Sequence, residues 1–321
     1  MKKIFFCLFI FAIFNAKAQS SDISVANGTV KFNSIDAYEL YADNISDRGA
    51  IISLASSSAA VTTLKEVGNT SDDNVPEFLQ SILNTDNIFT LGNYMVKIDV
   101  VNNRALVANS NTANVYNDLV SNNTASANVL VMNDDEQNGI EVLKAIDNGT
   151  LSFNDYKTAT SEISIKWPWN RCGGADRNTD KSSPVEIWSQ VNSSELNCPN
   201  NILAYGMDNK VVYQKLIFYF SLQSKIKNLK ACLSSNWILV PTHNGILKLT
   251  GTARFIKVNA CKSEVNLNQT DYAQGTELNW RPYEGSRALS KYDFNVDFGI
   301  NHITSNRVYI PSRHYRIVYG F

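Results

Sequence analysis

The sequence predicts an α+β protein: an N-terminal mixed α/β module with antiparallel strands, then an all-β antiparallel domain of sandwich or barrel-like form. Three observations carry this. Short helical segments with one apolar face alternate with strand–turn–strand patterns over the first 160 residues. Period-two alternation dominates the second half; Tyr292, Phe294, Val296, Phe298 and Ile300 alternate with Lys291, Asp293, Asn295, Asp297 and Gly299. Charge also divides the chain: residues 19–160 hold 7 Lys+Arg against 18 Asp+Glu, a net of −11, and residues 161–321 hold 19 against 12, a net of +7. The expected organisation is a signal peptide over 1–18, an acidic α+β module over 19–160 and a basic β-rich domain with disulfides over 161–321.

At the N-terminus, Lys2 and Lys3 precede an apolar run from Ile4 to Phe14, and Ala16-Lys17-Ala18 forms a small-residue cleavage site before Gln19. This is the pattern of a secretory signal, too short for a comfortable bilayer span. The expected location is therefore secreted, periplasmic or cell-surface, with no transmembrane helix after cleavage. Cys7 leaves with the signal. It follows Phe5-Phe6 rather than a small-residue box, so no lipid anchor is expected.

In the acidic module, Thr29 to Phe32 reads as a strand, and Ser34 caps a helix over Ile35 to Ala42. Ile51 to Val67 has apolar residues at helical spacing, diluted by a Ser/Ala run. Pro76 to Leu83 is a clearer helix, with Phe78, Leu79, Ile82 and Leu83 on one face. Ile88–Leu91, Tyr94–Val100 and Ala105–Ala108 are strands joined at Gly92-Asn93 and Asn102-Asn103, residues that tolerate positive φ. Asn114 to Val120 is a short helix, and Val129 to Met132 a strand. Helices on one face of a sheet are the simplest packing of this order. Asn133-Asp134-Asp135-Glu136 lacks the alternate-residue spacing of an EF-hand loop and reads as a solvated turn.

In the basic domain, Val212 to Ile226 reads as one long alternating stretch. Trp237–Val240 and Ile246–Val258 read as a hairpin around Asn244-Gly245, and Tyr315, Ile317, Tyr319 and Phe321 alternate to the end. The last pattern also fits the closing strand of an outer-membrane barrel, where lipid-facing and lumen-facing residues alternate. A soluble sheet produces it equally. The first half lacks repeated alternating segments of that kind, so the soluble sheet is preferred.

Phe78-Leu79-Gln80-Ser81-Ile82-Leu83-Asn84, followed by Leu91-Gly92-Asn93-Tyr94 and Lys97-Ile98-Asp99, resembles a module of exported two-domain proteins of Gram-negative bacteria. Val212-Tyr213-Gln214 and Phe220-Ser221-Leu222-Gln223-Ser224 resemble a strand of their second domain. The resemblance implies an exported bacterial two-domain protein and transfers no catalytic residue.

Cys172, Cys198, Cys232 and Cys261 all lie in the second half, an even number in an oxidising compartment. Of three connectivities, the sequential one, Cys172–Cys198 with Cys232–Cys261, keeps each loop local and is the expected one. Their spacing does not fit paired zinc ligands. His243, His302 and His314 form no H-x-x-x-H pair, and neither a nucleophile elbow nor a phosphate loop occurs, so no metal, cofactor or catalytic residue is expected. Asp271, Glu277, Glu284, Asp293 and Asp297 leave a glycosidase-like hydrolase as an alternative, since that chemistry needs two carboxylates at a set separation. Trp167, Trp169, Trp188, Trp237 and Trp280 offer stacking surfaces or core packing. Trp280, Arg281 and Tyr283, around Pro282 and before Glu284-Gly285, form the candidate ligand-binding loop. The function expected is a non-enzymatic binding or cell-envelope protein whose partner is a glycan or another anionic envelope component. Near-zero net charge argues against nucleic acid.

Overall fold

The computed structural model describes residues 22–43, 61–67, 75–133, 138–162, 172–181, 186–192, 202–232, 240–241, 243, 245–302, 308–309 and 313–321. The signal segment, residues 134–136, Trp167, Trp169, Trp237 and Cys198 lie outside them. The chain divides into two compact units: Met1–Asn170 with Leu216–Tyr219 and Gly285–Arg287, and Arg171–Lys215 with Phe220–Glu284 and Ala288–Phe321.

The first unit contains, in order, β1 (Ile23–Ala26), β2 (Thr29–Phe32), α1 (Ile35–Asp43), α2 (Glu77–Ile82), β3 (Ile88–Leu91), β4 (Tyr94–Asp99), β5 (Arg104–Asn109), α3 (Val115–Val120), β6 (Val129–Asn133), α4 (Gly139–Asp147) and α5 (Phe153–Glu162). The strands form one sheet in sequence order. β2 and β3 are parallel, joined by a long crossover that carries α1 and α2, and the other pairs are antiparallel. Asn27, Gly92 and Asn103 sit at positive φ in the hairpin turns. Ser34 caps α1, its Oγ accepting from Ala37 N at 3.0 Å. Residues 61–67 form turns and a bridge from Thr63 to Asn84 rather than the end of a helix. The expected boundary after Thr160 falls inside α5.

Helices on one face alone is corrected. Phe89, Leu91, Val96, Ile98, Val107 and Leu130 pack with α1, α2 and α4, whereas Ile88, Met95, Leu106, Ala108 and Val129 pack with Val115 and Leu119 of α3. The inner strands are apolar at consecutive positions, so each face needs its own cover. Leu216 to Tyr219 join the first of these cores. Tyr38 donates its hydroxyl to Phe218 O at 3.0 Å, and the Tyr219 ring stacks on Phe78 at 5.2 Å. Arg287 pairs with Glu39 at 2.5 Å and with Glu141, and Lys144 bridges Glu39 at 2.5 Å and Asp36 at 2.6 Å.

The second unit is a β-sandwich of β7 (Asn178–Lys181), β8 (Glu186–Asn192), β9 (Ile202–Lys215), β10 (Phe220–Cys232), β11 (Val240–Pro241), β12 (Ile246–Lys257), β13 (Glu264–Gln274), β14 (Glu277–Gly285), β15 (Leu289–His302), β16 (Val308–Tyr309) and β17 (Arg313–Tyr319). One sheet runs β11-β10-β9-β7, with β8 also on β9 and β14 also on β10. The other runs β13-β12-β15-β16, with β17 also on β15. Their facing side chains share one core: Val211, Tyr213, Leu222 and Ile226 meet Leu249, Phe255, Tyr292, Phe294 and Phe298. The terminal strand β17 pairs with β15, and Tyr315 and Ile317 enter the protein core.

Three further expectations are corrected. Val212 to Ile226 is two strands, β9 and β10, joined by a turn at 216–219. Val240–Pro241 and Ile246–Lys257 do not pair with each other as a hairpin; β11 pairs with β10, and β12 with β13 and β15, while Asn244 lies outside the described residues. The disulfide runs from Cys172 to Cys261, 5.8 Å apart at Cα and 89 residues apart in sequence, not to Cys198. Ala175 N bonds Leu289 O at 2.7 Å and Tyr292 donates to Asp176 O at 3.0 Å, which ties the segment after Cys172 to β15.

Candidate functional site

Trp280, Arg281 and Tyr283 lie on strand β14, not in a loop. Ser224 of β10 donates its hydroxyl to Trp280 O at 3.2 Å, and Asn228 N bonds Thr276 O at 2.8 Å, so β14 is held along β10. The three side chains part company. Tyr283 is 4% exposed and packs on Phe255 at 5.2 Å. Arg281 pairs with Glu284 at 3.5 Å. Trp280 is half-buried against Phe294, centroid to centroid 5.3 Å. Trp280 and Tyr283 reach the same core three residues apart, so the period of two breaks at Pro282, which supplies no ladder donor.

The chain builds an open edge around Trp280. β13 pairs with β12 in one sheet, and β14 pairs with β10 in the other. The two strands are consecutive, joined at Gly275-Thr276, yet belong to different sheets. Register places Val265, Leu267, Gln269, Asp271 and Ala273 on the core-facing side of β13, opposite Phe255, Ala253, Gly251, Leu249 and Leu247. On β12 those positions are buried, whereas on β13 they are half-buried or, for Leu267, 39% exposed. Trp280 lies against Gly251, and the register sets Gln269 opposite Gly251 with Asp271 two residues further along the same side of β13, which brings the three residues to one end of the sandwich, called the mouth below. Gln269 Nε2 donates to Asp271 Oδ1 at 2.7 Å. This combines an aromatic face, an amide and a carboxylate at a partly open, otherwise apolar opening. Gln269 was unremarkable in the sequence; only the strand register reveals its position.

The remaining carboxylates named from sequence are engaged. Glu277 bonds Lys225 at 2.9 Å; burial pushes its carboxyl up, but the lysine's hydrogen bond and charge, with Asn279, bring it below its ordinary value. Asp293 holds Arg316 at 2.9 Å, and Asp297 holds His314 at 3.1 Å. His243 is exposed. Among the described residues no three metal-ligating side chains cluster.

A second concavity, in the first unit, has a volume of about 320 Å³ and is lined by Leu64, Gln80, Asn87, Lys97, Asp99 and Asn122 among others. Its ionisable groups serve the fold. Lys97 donates to Leu119 O and Val120 O at 3.0 Å each, capping the C-terminus of α3; burial pushes its amine down, partly countered by Asp99. Asp99 accepts from Asn102 Nδ2 and Arg104 Nε, both at 2.8 Å, and so fixes the β4–β5 turn.

The fold and mouth define an α+β protein with a disulfide-linked β-sandwich. The disulfide is compatible with an extracellular or periplasmic protein. Among the described residues no helix is long and apolar enough to cross a membrane. No family profile and no curated protein matches the chain. Among solved structures it is similar to a DUF4848 family protein from Bacteroides thetaiotaomicron, a Gram-negative bacterium, at 9% identity and a TM-score of 0.21, over 92% of this chain and 100% of that one.

Proposed function

We propose that this chain is an exported, non-enzymatic binding protein of the bacterial cell envelope, and that the mouth between β13 and β14 takes a glycan. The observation behind this reading is the half-buried Trp280 beside Gln269 and Asp271. An indole face covers the apolar face of a sugar ring, while amide and carboxylate meet its hydroxyls. Of the three residues expected from sequence, this reading assigns Trp280 to the ligand; Tyr283 is buried against Phe255 and Arg281 is paired with Glu284. The N-terminal export pattern supports the compartment.

The test is retention of the purified mature chain on immobilised envelope polysaccharides, with fractionation of the tagged native protein alongside. Saturable retention, weakened by Gln269→Ala, is the expected result. A folded protein that no polysaccharide retains, or a cytoplasmic location, overturns the reading.

A further inference from the structure

We infer that the mouth selects an uncharged oligosaccharide, one offering hydroxyl groups and no carboxylate, sulfate or phosphate. The inference rests on the binding reading above and narrows it: the basic balance of the second half of the chain suggests an anionic ligand, and the mouth itself argues the reverse.

The core-facing positions of β13 are Val265, Leu267, Gln269, Asp271 and Ala273, and those of β14 at the mouth are Leu278 and Trp280. They supply one carboxylate, one amide and no cation. The basic side chains of the same strands and their neighbours are turned away and occupied. Lys225 is bound to Glu277 at 2.9 Å, and Lys227 adds its charge to the same carboxylate. Lys248 stands over the exposed Tyr272 ring at 5.7 Å on the solvent side of the sheet. Arg254 is bound to Glu264 at 2.8 Å. An anionic ligand would thus meet Asp271 without a counter-charge, a repulsion the low-dielectric rim strengthens.

The hydrogen-bonding balance points the same way. Gln269 Nε2 already donates to Asp271 Oδ1 at 2.7 Å. Asp271 Oδ2 and Gln269 Oε1 have no hydrogen-bond partner among the described residues, so the mouth presents chiefly acceptors. Sugar hydroxyls donate to such acceptors, and a hydroxyl-to-carboxylate bond is among the stronger kinds. Carboxylates and sulfates only accept. An ammonium group would also suit a carboxylate beside an indole. The apolar walls from Leu267, Ala273 and Leu278 and the amide already engaging Asp271 favour the extended, neutral ligand.

The experiment is calorimetric titration of the mature, disulfide-intact chain with three matched oligosaccharide series: neutral hexose oligomers, uronic-acid oligomers and cationic glucosamine oligomers. Wild type, Asp271→Asn and Gln269→Ala are compared, with thermal melts establishing that each variant is folded. The expected result is binding of a neutral series, with the uronic-acid series about ten-fold or more weaker, and a gap that Asp271→Asn largely closes. Uronic-acid binding as tight as neutral binding, or an unchanged ratio in Asp271→Asn, overturns the inference while the glycan reading stands. Tightest binding by the glucosamine series, lost in Asp271→Asn, overturns it in favour of a cation site. No binding by any series to folded wild type removes the glycan reading, and the inference with it.

Discussion

A Cβ placed on Gly251 would fall within 2.9 Å of Trp280 Cε3 and of the Asn295 carbonyl oxygen, so the indole lies directly against the β12 backbone. Atoms that close cannot coexist without movement, and neither neighbour is the free end of a flexible chain. Gly251→Ala is expected to lift the indole from its seat at a cost of about 1–3 kcal/mol. A lowered thermal midpoint with a red-shifted tryptophan emission would show it; an unchanged midpoint would mean that Trp280 is not packed there.

The Cys172–Cys261 bridge closes a loop across 89 residues and ties the start of the second unit to the turn after β12. On chain-entropy grounds, replacing both cysteines with alanine is expected to cost about 4–5 kcal/mol. The remaining cysteines are then expected to pair. Cys232 stands opposite Leu203 in the β9–β10 ladder, and Cys198 precedes β9 by a few residues. A non-reducing digest should return two linked peptides, Cys172 with Cys261 and Cys198 with Cys232. A Cys172–Cys198 peptide would contradict the fold described above.

The elements legible in the sequence are those whose signal is local. Ser34 announced α1, Gly92 and Asn103 announced turns, and the alternation from Tyr292 to Ile300 announced a half-buried strand, all matched in the structure. Long-range pairing was not legible. Cys172 reaches Cys261 because the sandwich brings β12's end to it, and chain distance argued for nearer partners. Trp280 looked like a loop residue because Pro282 and Gly285 flank it, yet β14 pairs with β10 alone among the described strands, which lets it accommodate Pro282. The turn at 216–219 was hidden because Leu216, Ile217, Phe218 and Tyr219 carry no turn residue and simply continue the apolar run.

That turn is held by packing against its own backbone preference. Ile217 has φ 65°, a region β-branched residues avoid, and Phe218 N bonds Leu216 O across it. Such a conformation costs on the order of 1–3 kcal/mol. Ile217 is 2% exposed and lies against Gly139 in the core of the first unit, so burial sustains it. Ile217→Gly removes the strain and also the buried side chain, worth about 2–5 kcal/mol. Net destabilisation is expected, smaller than for Ile217→Ala, which loses most of the packing and keeps the strain. Chemical denaturation of the two variants ranks them; equal or reversed values would place the strain elsewhere.

Tyr292 gives the fold an alkaline limit. Its ring is fully buried, 4.9 Å from Tyr213, and its hydroxyl donates to Asp176 O at 3.0 Å. Burial first, then the nearby Asp176 charge, raises its phenol well above the ordinary value of 10.0. A group whose folded pKa is raised supports the fold fully below its unfolded pKa. That support declines once the unfolded chain begins to ionise near pH 10.0 while the folded phenol stays neutral. Tyr292→Phe should cost about 1 kcal/mol at neutral pH through the lost hydrogen bond. It cannot ionise, so its stability should fall less steeply above pH 10.0 than that of the wild type, and the two curves should converge. Tyr94 and Tyr116, also raised by burial, keep part of the alkaline slope in the variant. Urea denaturation from pH 8 to 11 measures both curves; parallel alkaline limbs would show that the Tyr292 phenol ionises as readily in the folded protein as in the unfolded chain.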